Sequence, residues 1–266
     1  MLGFIGAGNI TSALISGAVA SGVPPEEFLI LDINPEAEER LSRACGVASA
    51  PSLYALAGKC DIIFLAVKPN NLERLLPELK SALAGQRRII VSVAASRSVE
   101  YLTDRLGAGQ PIARVMPNLN ASVGEGVFAL CGGGALEPCE KKNVMDFLNR
   151  LGLALELDEC YFPAFSAIAG SGPAFVYLFV DSLARAGLKN GINKETALRV
   201  AAQTVLGSAK TLAASDKHPW EHIDNVCSPG GLTVEGVSSL QNSGFEASVI
   251  RAVDAVIEKD KRIAGI

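Results

Sequence analysis

Through the first 158 residues, short apolar runs alternate with amphipathic stretches of helix length, and that alternation leaves few folds open. The runs are Leu2–Ile5, Phe28–Leu31, Ile62–Val67, Ile89–Ala94, Ile112–Val115, Val127–Leu130 and Leu153–Leu157. Several are apolar at every position, as strands covered on both faces should be. Between them, Ile10–Ala20, Pro35–Ala44, Leu72–Leu83, Val99–Leu106 and Pro138–Leu151 read as helices. A β-α-β-α order predicts a mostly parallel, doubly wound sheet.

After Asp158 no convincing strand follows, and helical patterns take over: Phe162–Ala186, Lys194–Ala213, Pro219–Val226, Thr233–Asn242 and Phe245–Ile263. The expected division is an α/β domain over residues 1–158 and an all-helical domain over 159–266. Ala197, Val200, Ala201, Ala202, Val205 and Leu206 spread apolar surface beyond one helical stripe. A small helical domain has too few partners to cover that face, so it is expected to interleave with a second copy of the chain. Phe162–Val180 carries no charge and approaches the roughly 20 residues of a membrane-spanning helix. Gly170-Ser171-Gly172-Pro173 interrupts it, and Asp181 and Arg185 follow at once. A helix buried in protein is the expectation, with no membrane span.

The net charge of −4 argues against a nucleic-acid partner, which would want a basic face. Six scattered cysteines, none in a C-x-x-C pair, read as reduced thiols. The segment Met1-Leu2-Gly3-Phe4-Ile5-Gly6 lacks the basic and apolar regions of a signal peptide, so a cytoplasmic location is expected. His218 and His222 are the only histidines. Pro219 places His218 at or before a helix start and no third ligand accompanies the pair, so no metal is expected.

Two motifs carry chemistry. Gly6-Ala7-Gly8-Asn9-Ile10-Thr11 follows a strand and opens a helix, the context that a dinucleotide-binding, Rossmann-like turn requires. Gly6 suits the tight turn and Gly8 lets backbone approach a pyrophosphate, which the helix N-terminus attracts. Thr11 stands where Gly or Ala is usual, which predicts slightly wider helix–strand packing. Asp32 follows Thr11 by 21 residues and suits a ribose 2′-hydroxyl, whereas Asn34 suits a 2′-phosphate. The residues therefore leave NADH and NADPH open. Further strand ends, Ala66-Val67-Lys68-Pro69, Val93-Ala94-Ala95-Ser96 and Val115-Met116-Pro117-Asn118, should line the same crevice, where small residues admit a ribose or nicotinamide. The second motif is Cys227-Ser228-Pro229-Gly230-Gly231-Leu232-Thr233-Val234-Glu235. A Pro-Gly-Gly turn opening a helix leaves consecutive N–H groups free for an anion, with Thr233 in the first turn.

Taken together, these segments resemble the Δ1-pyrroline-5-carboxylate reductases, which complete proline synthesis. The resemblance rests on Gly3-Phe4-Ile5-Gly6-Ala7-Gly8-Asn9, Ala66-Val67-Lys68-Pro69, Val115-Met116-Pro117-Asn118, Gly170-Ser171-Gly172-Pro173-Ala174-Phe175-Val176 and Ser228-Pro229-Gly230-Gly231. Departures occur at Thr11, Ser96, Leu119-Asn120 and Leu232, while Thr233 is retained.

The resemblance implies a Rossmann-like N-terminal domain and a helical dimerisation domain, whose dimers assemble in some members into pentamers of dimers. It implies NADPH as cofactor, with NADH as the alternative, and a small-molecule substrate: a five-membered cyclic imine bearing a carboxylate. Gly6, Ala7, Gly8, Asn9, Ile10, Asp32, Asn34, Ala66, Val67, Lys68, Pro69, Ala94 and Ala95 are the expected cofactor residues. Ser228, Gly230, Gly231, Leu232, Thr233 and Asn118 are expected at the substrate, and Thr233 is the expected catalytic contact to the ring nitrogen. A β-hydroxyacid dehydrogenase would need a lysine on the helix after its Gly-Ser-Gly-like segment, and Gly170–Leu178 contains none. A cofactor-sensing scaffold without turnover and an enzyme for six-membered cyclic imines are the other readings.

Overall fold

The computed structural model describes residues 1–94 and 97–264; the expected cofactor residue Ala95, with Ser96, lies outside the described residues. The α/β part runs β1 (Leu2–Ile5), α1 (Asn9–Ala20), β2 (Phe28–Leu31), α2 (Pro35–Cys45), β3 (Ala48–Ser49), α3 (Leu53–Lys59), β4 (Ile62–Leu65), α4 (Pro69–Leu83), β5 (Ile89–Ser92), α5 (Val99–Leu106), β6 (Pro111–Met116), β7 (Gly126–Gly134), α6 (Pro138–Asn149) and β8 (Gly152–Glu156). The eight strands form one sheet in the order β3-β2-β1-β4-β5-β6-β7-β8. Every pairing is parallel except that of β6 with β7. The doubly wound sheet is as expected. Its order reverses at β1, so a crevice opens beyond the carboxyl ends of β1 and β4.

Parallel, in-register pairing sets like side chains on one face. Phe4 stands beside Ile30 and Phe64, and the Phe4 and Phe64 rings stack with centroids 4.5 Å apart. Phe147 of α6 packs against Phe64 at 5.5 Å. The other face carries Ile5, Ile63, Leu65 and Ile90 against Leu56, Leu72, Leu76 and Leu102 of α3, α4 and α5. The helices start where side chains replace missing backbone partners. Asn34, Ser52 and Ser98 accept the N–H groups of Glu36, Ala55 and Tyr101 to open α2, α3 and α5.

Beyond β8 come a single 3-10 turn (Glu159–Tyr161), α7 (Phe162–Phe165) and a π-helical turn (Ser166–Gly170). Then follow α8 (Gly172–Lys189), α9 (Lys194–Ala213), α10 (Pro219–Val226), α11 (Leu232–Asn242) and α12 (Phe245–Ala264), with no further strand among the described residues. The single helix expected over 162–186 is thus broken. Pro173, at the start of α8, has no N–H to give the carbonyl four residues back.

The chain divides into two compact units. One spans Met1–Gly170 with the final helical turns from Lys259, and the other spans Ser171–Glu258. The second unit buries little of its own: Ala184, Ala197 and Ala201, with Val180 packed against them. Tyr177, Leu178, Val200 and Ile250 are each more than half exposed.

One close approach in the first unit is testable. Glycine inside a helix normally costs about 1 kcal/mol relative to alanine, so Gly17→Ala in α1 should ordinarily stabilise. Here the new Cβ would lie 2.0 Å from the Ala121 carbonyl oxygen and 3.3 Å from Leu151. Overpacking of this kind costs about 1–3 kcal/mol, so the urea midpoint of the variant should fall. A raised midpoint would show that α1 does not press on residue 121.

Candidate active site

The glycine turn is built by three contacts at the carboxyl end of β1. Gly6 takes φ +108°, and a Cβ there would stand 2.6 Å from the Ala66 carbonyl oxygen. The Gly6 N–H donates to Leu31 at 2.7 Å, and the Ala66 N–H donates to Ile5 at 2.8 Å. Gly8 precedes α1 with no side-chain cap, and a Cβ added to it would meet nothing within 4 Å. The first turn of α1 (Asn9, Ile10) is therefore open to an anion. Thr11 is fully buried. Its hydroxyl, which sequence analysis treated only as extra bulk, donates to the Gly6 carbonyl at 2.6 Å and braces the turn.

Asp32, at the end of β2, also serves this turn. Its Oδ2 accepts the Ala7 N–H at 2.6 Å and its Oδ1 accepts the Asn34 N–H at 2.8 Å. Glu38 of α2 accepts the Asp32 N–H at 2.5 Å. Asn34 is the N-cap of α2. A cleft of about 460 Å³ lies between α1 and α2, lined by Asn9, Ser12, Ser16 and Arg40 among others. Lys68 and Pro69 open α4 directly after Ala66 and Val67, without a side-chain cap. Ala94 is buried just beyond β5.

Asn118, expected at the substrate, is also engaged within the fold. It lies two residues past β6, is only 5% exposed, and has both ends of its carboxamide engaged. Its Oδ1 accepts the Val127 N–H and its Nδ2 donates to the Ala169 carbonyl, each at 3.1 Å. These two bonds use one of the two Nδ2 hydrogens and one lone pair of Oδ1. Arg114 of β6 was not singled out by sequence reasoning, because its strand reads as apolar. It pairs with Glu159 at 2.7 Å and lies over the Phe162 ring at 4.8 Å. The same carboxylate oxygen accepts the Val99 N–H at 3.0 Å. Burial, and next the Glu159 carboxylate, push the Cys131 thiol up, so it stays neutral opposite Arg114.

The second motif lies in the second unit. The Gly231 N–H donates to Ser228 at 2.9 Å, closing the turn. Gly230 takes φ +68°, and a Cβ on Gly231 would collide with Ser228 Oγ at 2.3 Å. Gly231 is the N-cap of α11 and supplies no side chain to it. Leu232 is 94% exposed, and Thr233 beside it is exposed too. His218 instead caps α10, its Nδ1 accepting the Trp220 N–H at 3.2 Å. Among the described residues no group of three or more His, Cys, Asp or Glu side chains is gathered for a metal.

A family model described as "Pyrroline-5-carboxylate reductase dimerisation" matches residues 159–263, and one described as "NADP oxidoreductase coenzyme F420-dependent" matches residues 1–96. The pyrroline-5-carboxylate reductase of Aquifex aeolicus is 37% identical over 98% of this chain and 97% of its own length. That of Escherichia coli is 34% identical over 99% and 98%. Among solved structures, pyrroline carboxylate reductase of Plasmodium falciparum with NADP bound superposes with TM-score 0.87 at 33% identity, covering 99% of this chain and 97% of that one. The Streptococcus pyogenes enzyme gives 0.85 at 35% identity, covering 98% of each. By length and composition alone the run Glu159–Lys189 would suit a membrane span, but it falls within the matched dimerisation region, where a second copy is the expected cover. A dinucleotide turn and a Pro-Gly-Gly helix start, joined in one chain alike over its whole length to these enzymes, place the protein in the pyrroline-5-carboxylate reductase family.

Proposed function

We propose that this chain reduces the C=N bond of 1-pyrroline-5-carboxylate with NADPH, giving L-proline. The carrying observation is the pair of glycine-started, uncapped helix N-termini, Gly8 before α1 and Gly231 before α11. The first suits a pyrophosphate and the second a carboxylate. NADPH supplies the hydride. Gly6, Ala7, Gly8, Asn9 and Ile10 hold the pyrophosphate. Asp32 and Asn34 border the adenine ribose, and Ala66–Pro69, Ala94 and Ala95 bound the nicotinamide end. The N–H groups of Gly230, Leu232 and Thr233, with Ser228, take the substrate carboxylate, and Gly231 shapes the turn that presents them.

Cyclic imines are basic enough to take their proton from solvent, so no strong acid is needed from a chain whose only histidines are His218 and His222. As hydride reaches the imine carbon, the C=N electron pair passes to the protonated nitrogen. The Thr233 hydroxyl hydrogen-bonds that nitrogen and fixes the ring, so that orientation does most of the work. The protein is a homo-oligomer. Its dimer forms through the C-terminal helices, assembles further as a pentamer of dimers, and works in the cytoplasm. The exposed apolar residues of α8, α9 and α12 support the dimer.

The direct test is NADPH oxidation on adding 1-pyrroline-5-carboxylate to purified protein. No oxidation with NADPH or NADH, in folded protein, overturns the reading. Thr233→Ala should lower kcat/KM for the imine at least about tenfold, roughly 1.4 kcal/mol of lost transition-state contact. NADPH affinity, read by fluorescence titration, should stay within about twofold. An equal loss of cofactor affinity would count against this division of roles.

Asp32→Asn keeps an acceptor for one of the Ala7 and Asn34 N–H groups, loses the other, and removes a negative charge beside the ribose. One unit charge at about 4 Å in water is worth about 1 kcal/mol, so the NADPH-to-NADH efficiency ratio should rise about fivefold. An unchanged ratio with both cofactors weakened alike would make Asp32 purely a brace for the glycine turn.

A further inference from the structure

We propose that Asn118 is a positioning residue. It fixes the π-helical turn from which the substrate-binding unit departs, and so sets imine turnover without touching the imine. The inference rests on the reductase reading above. In an α-helix the Ala169 carbonyl would receive the N–H of residue 173, but that residue is proline and has none to give. The next N–H, of Ala174, turns instead to Ser171 at 3.0 Å. Ala169 is 6% exposed, and a carbonyl buried without a partner is costly. The Asn118 Nδ2 supplies the missing donor at 3.1 Å, from 51 residues back in the chain.

The other end of the carboxamide is tied with equal care. The Val127 N–H, at the start of β7, donates to Oδ1, so the side chain is held by the sheet while it holds the turn. Only a group with a donor and an acceptor on one planar head of this length does both. Aspartate keeps the acceptor and loses the donor, setting an oxygen against the Ala169 carbonyl.

The segment from Glu159 to Gly170 is gripped a second time at its beginning. Glu159 takes the Arg114 guanidinium and the Val99 N–H. Thus β6 and its exit hold both ends of a segment that would otherwise be a short helical linker. Between the anchors, Ala167 is fully buried while Ile168 is 65% exposed. A π turn persists only where its surroundings enforce it, and such turns gather at functional sites. This one lies beyond the carboxyl end of the sheet and is followed at once by Ser171, where the second compact unit begins. The glycine turn at Gly6–Gly8 shares no hydrogen bond with Asn118, so cofactor binding should not depend on it.

The test compares Asn118→Asp with the unsubstituted enzyme in kcat, imine KM, NADPH dissociation constant and melting temperature. The expected result is a loss of at least about tenfold in kcat/KM for the imine, with the NADPH dissociation constant within twofold. Asn118→Ser, which removes the bridge without setting like dipoles against each other, gives the same readout if the aspartate variant does not fold. Wild-type kcat and KM in either folded variant, whatever its melting temperature, would overturn the proposal and leave Asn118 a stabilising residue only. A rise in the NADPH dissociation constant equal to that in imine KM would overturn it too. Failure of the unsubstituted chain to turn over the imine would strike the reductase reading instead.

Discussion

The carbonyl of Ala66 stands where a side chain on residue 6 would have to go, and the cofactor half of the protein depends on that crowding. β1 lies between β2 and β4, and the three strands end in register at Ile5, Leu31 and Leu65. Leu31 accepts the Gly6 N–H, while Ala66 donates to Ile5. The chain leaves the sheet there only by turning with positive φ, which glycine alone accepts without strain. α1 then starts immediately, its N-terminus at the point where the strand order reverses. Thr11 and Asp32 brace the turn from opposite sides, one through the Gly6 carbonyl and the other through the Ala7 N–H. The glycine turn and the helix start that follows it are therefore consequences of the sheet order.

What the sequence discloses follows from burial. β1, β2, β4 and β5 are short and, Ser92 apart, free of polar side chains, because helices cover both faces, and all of them were legible. β3 has two exposed residues, Ala48 and Ser49, and no hydrophobic signature. β7 was legible only as Val127–Leu130, yet it extends through Gly132, Gly133 and Gly134. Those glycines carry no hydrophobic signature, but a Cβ on Gly133 would meet Val99 of α5 at 2.0 Å; it is a strand residue made small by the helix beside it. α3 is a seven-residue helix too short to show a period.

In the candidate site, local turns were legible and side-chain contacts across long separations were not. The two glycine-rich turns are local, and their residue types state their geometry. Asn118 was noticed for its place at a strand end, but its job is fixed by Pro173 and Val127, neither of which is near it in sequence. The Arg114–Glu159 pair spans 45 residues and sits in a strand whose other members are apolar, so nothing local announces it. Such contacts exist because a buried carbonyl or charge must find a partner, and only the folded chain shows which partner is in reach.

Glycine at position 8 completes the case for a ligand at α1. At Gly6 and Gly17 the protein itself leaves no room for a Cβ, and packing explains the residue. Gly8 has an ordinary φ of −79° and open space around its missing side chain, so neither strain nor packing calls for it. Ser52 at α3, Ser98 at α5, Asn193 at α9 and His218 at α10 satisfy first-turn N–H groups with side chains, whereas α4, α7 and α8 begin without such a cap. α1 and α11 begin with glycine and no such cap. Uncapped helix starts beside glycines that hold the surface back are the features on which the two proposed anion sites rest. A pyrophosphate at one and a carboxylate at the other are the anions that the reaction of this family brings.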